Sequence, residues 1–145
     1  MKQIQSAAFR IFLTSLSLLL VAGCGHKDPF DYVQVSGKVT YEDGSPIPID
    51  GKRITFYPQG GSIDAKTHPR PGMASVDKAG AFRSATSHLP NDGLVRGRHK
   101  VTLLAGNGQL LPPSVVPAEY GDPDKTPLEV DTAEQPFVLK VRQPN

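Results

Sequence analysis

Hydrophobic positions are distributed in two different ways along this chain. Residues 11–22 form a nearly unbroken apolar run, interrupted only by Thr14, Ser15 and Ser17. Beyond residue 33 the apolar positions alternate with polar ones in short stretches, separated by Gly, Pro, Asp and Ser. The run of 12 is too short to span a bilayer, which takes about 20 apolar residues. Lys2 and Arg10 lie ahead of it and the small residues Ala22 and Gly23 behind it. Together these are the three parts of a cleaved export signal.

The alternation predicts strands. Residues 33–41 place Val33, Val35, Val39 and Tyr41 on one face and Gln34, Ser36, Lys38 and Thr40 on the other, the period of a half-buried strand. Gly37 falls on the apolar face, where a missing side chain lets another backbone approach. Asp43-Gly44 ends the stretch, because glycine supplies a positive φ without steric penalty. A second strand is expected at 53–58, with Ile54 and Phe56 inward. Residues 72–76 and 81–86 read as a hairpin about 77–80 that carries Phe82 into the core. Another strand covers 98–105, with Val101 and Leu103 on one face. Two more close the chain, at 126–131 with Leu128 and Val130 inward and at 136–142 with Phe137, Leu139 and Val141 inward. Seven strands and no helix make an all-β domain, expected as a β-sandwich. The proline-rich connection 106–125 is long for a structureless loop, and loops of that length are usually functional or loosely ordered.

Composition sharpens this picture. Fourteen Gly and fourteen Pro among 145 residues, with no Trp, favour turns and short strands. The single cysteine, Cys24, excludes an intramolecular disulfide framework, so an exported domain of this size must fold on core burial alone. The net charge of +2 belongs to Lys2 and Arg10, and without them acidic and basic residues balance. That balance points to no nucleic-acid partner.

Val21-Ala22-Gly23-Cys24, standing directly behind the apolar run, resembles the bacterial lipobox. The resemblance implies cleavage between Gly23 and Cys24 and a diacylglyceryl group on the Cys24 sulfur. Two or more acyl chains hold a protein stably on a membrane, at about 0.8 kcal/mol per buried CH₂. The chain then divides into a signal peptide at 1–23, a polar tether at 24–32 and a domain at 33–142. In well-studied envelope sorting an aspartate after the lipidated cysteine retains a lipoprotein at the inner membrane. Gly25 stands there instead, so an outer-membrane location, on its periplasmic or surface face, is expected.

The strands carry a second resemblance. Val35-Ser36-Gly37-Lys38-Val39-Thr40-Tyr41 and the turn Asp43-Gly44-Ser45-Pro46 resemble the opening of carboxypeptidase regulatory-like domains, Ile54-Thr55-Phe56-Tyr57-Pro58 their next strand and Asp77-Lys78-Ala79-Gly80-Ala81-Phe82 their Asp-x-x-Gly-x-Phe hairpin. Gly97-Arg98-His99-Lys100-Val101 matches a later strand, with His99 where an aromatic is usual. The resemblance implies a transthyretin-like or immunoglobulin-like seven-stranded sandwich. It also implies a non-catalytic structural or interaction role in the cell envelope, with an envelope protein or glycan as partner.

Candidate chemistry is sparse. His26, His68, His88 and His99 lack the mutual spacing of a metal site, and no Gly-x-Ser-x-Gly elbow frames a nucleophile. No cofactor and no catalytic residue is expected. Glu119, Asp122 and Asp124 read as a turn rather than a calcium loop, which needs six or more oxygens. Lys38, on the polar face, is not placed for a lysine–asparagine crosslink. Tyr57 and Tyr120, together with the 106–125 loop, form the candidate contact surface for a glycan or peptide, unless both tyrosines simply cap the core.

Overall fold

The longer alternating stretches of the sequence become strands in the computed structural model, which describes residues 28–144. The signal, Gly23, Cys24 and the tether up to residue 27 lie outside the described residues. The described chain is all-β, with nine strands: β1 (Tyr32–Val33), β2 (Gly37–Tyr41), β3 (Lys52–Pro58), β4 (Gly72–Val76), β5 (Ala81–Phe82), β6 (Leu94–Val95), β7 (Arg98–Ala105), β8 (Glu129–Asp131) and β9 (Phe137–Val141). They form three sheets. One is four-stranded, in the order β4-β3-β7-β8, and antiparallel throughout. The second has the order β5-β2-β9, in which β2 and β9 run parallel. The third is the short pair β1-β6. No helix among the described residues is long and apolar enough to cross a membrane.

Period two places the inward residues as expected. Ile54 and Phe56 of β3, Val101 and Leu103 of β7, and Phe137, Leu139 and Val141 of β9 are all buried in one core. Three aromatic rings join the two larger sheets. Phe56 of the four-stranded sheet lies 5.8 Å from Phe82 and 6.0 Å from Phe137 of the three-stranded one, in tilted geometry. Rings at these separations contribute about 0.5–1.5 kcal/mol per pair beyond area burial. Gly37 makes the close approach its position predicts. A Cβ there would stand 2.5 Å from the Phe137 carbonyl oxygen and 2.8 Å from the Phe82 ring.

The expectation of seven strands is corrected to nine in three sheets. The first predicted strand, 33–41, breaks at residues 34–36 into β1 and β2, which join different sheets. Residues 87–97, between the predicted strands 81–86 and 98–105, contain β6, the partner of β1. The expected hairpin 72–76/81–86 keeps its turn, where the Asp77 N–H donates to the Ala81 carbonyl at 2.9 Å and the Gly80 N–H to the Asp77 carbonyl at 3.0 Å. Its arms then diverge, since β4 pairs with β3 while β5 pairs with β2. They meet again only at the Met73–Thr86 bridge, and a cleft of about 480 Å³ opens between the two rungs.

The 106–125 connection is neither loose nor exposed as a whole. Leu111, Val116 and Tyr120 belong to the core, and a 3₁₀ turn, Ala118–Gly121, packs against β7.

Candidate functional site

The tether does not hang free to residue 32. Arg96 ties it to the domain, because its backbone N–H donates to the Asp31 carbonyl at 3.1 Å and its guanidinium pairs with the Asp31 carboxylate. Asp28 is the second fastening. Its Oδ1 accepts the Phe30 N–H at 3.0 Å, and its Oδ2 accepts the Tyr32 hydroxyl at 2.8 Å. The same Oδ2 lies 3.3 Å from Nδ1 of His88, sixty residues along the chain. Burial pushes the Asp28 carboxyl up, but the Phe30, Tyr32 and His88 contacts outweigh it and hold the group below 3.8. Burial, and then the bond to Asp28, push the Tyr32 phenol well above its ordinary value.

Beside this cluster lies a cleft of about 450 Å³, lined by Asp28 and Phe30 on the tether side and by Lys66, His68, Arg70 and His88 across from it. The loop 62–71 that brings the basic residues is closed locally. Asp64 Oδ1 accepts the Lys66 and Thr67 backbone N–H groups at 2.7 and 2.8 Å, and the Ile63 N–H donates to the Thr67 carbonyl at 3.0 Å. The segment that brings His88 is held by Asp92, which collects the backbone N–H groups of Ser87, His88 and Leu89 at 2.8–2.9 Å. Lys66 and Arg70 have no carboxylate within ion-pairing distance among the described residues. Each of the two segments also carries a large exposed apolar side chain: Ile63, next to Ser62, is 58% exposed and Leu89, next to His88, 60%.

Within the same loop Ser62 Oγ lies 2.7 Å from His68 Nδ1. The other ring nitrogen donates to the Ala65 carbonyl at 3.0 Å, so a backbone oxygen stands behind the imidazole where a catalytic triad has a carboxylate. Among the described residues, no group of three His, Cys, Asp or Glu is placed to hold a metal ion.

The residues singled out in the sequence are scattered. Cys24 and Gly23 lie outside the described residues. Tyr120 is buried, and its hydroxyl accepts the Arg142 N–H at 3.0 Å, so it caps the core and offers no face to a ligand. Tyr57, half-buried on β3, sits opposite Lys100 in the register. Lys38 is exposed. The Asp28–Tyr32–His88 cluster was missed because His88 lies sixty residues from Asp28 in the chain. An aspartate beside a proline and two residues ahead of Phe30 signals only a local turn.

Two further polar side chains lie deep in the core. His99 packs edge-on to Phe56, with centroids 6.5 Å apart and planes at 86°. Its Nδ1–H donates to the Gly97 carbonyl at 3.1 Å, and its Nε2 has no partner. Burial pushes the imidazole below 6.5 despite the Gly97 bond. Lys52, only 2% exposed, donates its ammonium to the Ile47 carbonyl at 3.0 Å and to that of Ile49.

No family model matches this chain, and neither a curated protein nor a solved structure does.

Proposed function

We propose that the chain is a lipid-anchored, non-catalytic module of the bacterial cell envelope. Its domain is a β-sandwich of the transthyretin-like, carboxypeptidase regulatory type, held close to its membrane as a structural or interaction element. The observation that carries this reading is the lipobox-like Val21-Ala22-Gly23-Cys24, placed directly behind an n-region and a 12-residue apolar run. The fastened tether supports it. The tether is fastened to the domain at Asp28, four residues past Cys24, and a chain that short would keep the domain at the lipid surface.

Metabolic labelling with a palmitate analogue tests the anchor. The wild-type chain is expected to take up label and to fractionate with membranes, and Cys24→Ala to lose both. Label persisting on Cys24→Ala, or absent from the wild type, rejects the reading. On a density gradient the wild type is expected with the outer membrane, and Gly25→Asp is expected to shift toward the inner one.

A further inference from the structure

We infer that the cleft between Lys66, Arg70 and His88 receives the phosphate of an anionic phospholipid headgroup from the leaflet in which the chain is anchored. The inference rests on the lipid-anchor reading for its location, and on the cleft itself for its chemistry. The location follows from chain length. Asp28 lines the cleft and is four residues from Cys24, a separation of at most about 14 Å when extended. No other surface of the domain is joined to the anchor by so short a path.

The chemistry follows from the lining. Lys66 and Arg70 are exposed cations without a carboxylate within ion-pairing distance among the described residues, on the rim of a cavity of about 450 Å³. An arginine fork and a lysine point charge are the two side chains best suited to phosphate oxygens. The nearby carboxylates are already engaged. Asp28 is turned to Phe30, Tyr32 and His88, Asp64 to Lys66 and Thr67, and Asp92 to the backbone of Ser87, His88 and Leu89. The same two chain segments carry the exposed apolar side chains of Ile63 and Leu89, which a free phosphate would not engage but a lipid surface would. Basic residues beside exposed apolar ones are the pattern of a surface resting in a headgroup layer.

The full chain, extracted from membranes, supports the test, and its intact mass records whether Cys24 is acylated. It is placed in nanodiscs of phosphatidylcholine alone or mixed with phosphatidylglycerol, and amide exchange is followed over 62–71 and 86–92. Exchange is expected to slow in the phosphatidylglycerol discs only. Lys66→Gln and Arg70→Gln should each weaken the apparent affinity for phosphatidylglycerol by about fivefold. Equal exchange in both discs, or no response to either substitution, overturns the inference. Inorganic phosphate added to the phosphatidylcholine discs should leave the loops unprotected, and protection as strong as that given by phosphatidylglycerol overturns the lipid assignment. Should the mass show an unmodified Cys24, the anchor reading fails by itself. Phosphatidylglycerol vesicles added to that chain then decide the cleft: slowed exchange at 62–71 sustains it and unchanged exchange overturns it.

Discussion

Lys52 and His99 occupy core positions that apolar side chains ordinarily fill, and each does so at a cost set by its unmet chemistry. His99 satisfies one ring nitrogen and leaves Nε2 orphaned, while burial keeps the folded imidazole neutral below 6.5. The unfolded imidazole, with its ordinary value of 6.5, takes up a proton as pH falls through that value. Its contribution is therefore intact above 6.5 and declines as the medium is acidified below it. His99→Phe keeps a ring against Phe56 and removes the titration. Urea midpoints measured against pH should show the wild type losing stability relative to the variant below 6.5, and parallel curves would refute this assignment. Lys52 acts differently, since its ammonium holds two carbonyls of the connection between β2 and β3. Lys52→Met retains the apolar stem and orphans both oxygens. Unfolding free energy should fall by about 1–3 kcal/mol, and an unchanged midpoint would show that water replaces the ammonium.

At the scale of elements, the parallel pairing of β2 with β9 depends on Gly37 having no side chain. Gly37→Ala drives a Cβ to 2.5 Å from the Phe137 carbonyl oxygen, so the strands must separate. A loss of about 1–3 kcal/mol in urea unfolding is expected, against no measurable change for Gly60→Ala, where a Cβ meets nothing within 4 Å. Gly37 was legible because it interrupts an alternation long enough to define a face. The same reason made the inward residues of β3, β7 and β9 legible. The two-residue strands β1 and β6 were not, because so short a stretch carries no period. The turn at 77–80 was legible from Asp77 and Gly80, but turn chemistry is local and does not say which sheet each arm joins. The 106–125 connection hid its core residues, since Leu111, Val116 and Tyr120 are separated by prolines and follow neither strand nor helix period. Of the cleft nothing was visible, and Cys24, the residue the sequence singles out, lies outside the described residues. The cleft is assembled by two distant loops that meet the tether, a juxtaposition with no sequence signature.

For the whole molecule, the contacts of residues 28–32 leave at most four links between Cys24 and a fastened residue, and on the lipid-anchor proposal that distance would set how the domain meets its membrane. A loose tether would let every face turn toward the lipid, whereas a short one leaves only the surface around Asp28 within reach. Separating these cases needs a change in tether length that leaves Cys24 and the fold untouched. A long Gly-Ser spacer inserted between Lys27 and Asp28 does so. In phosphatidylcholine nanodiscs, where headgroup attraction is weak, shielding of Lys66 comes from tether length alone. Its modification by a water-soluble amine reagent should rise in the spacer variant to the level of the Cys24→Ala chain. In discs containing phosphatidylglycerol the cleft adds its own attraction, and the spacer should restore less of the reactivity. An identical Lys66 modification rate with and without the spacer in phosphatidylcholine would mean that the domain already turns freely. The fastening at Asp28 and Arg96 would then stabilise the fold without orienting it.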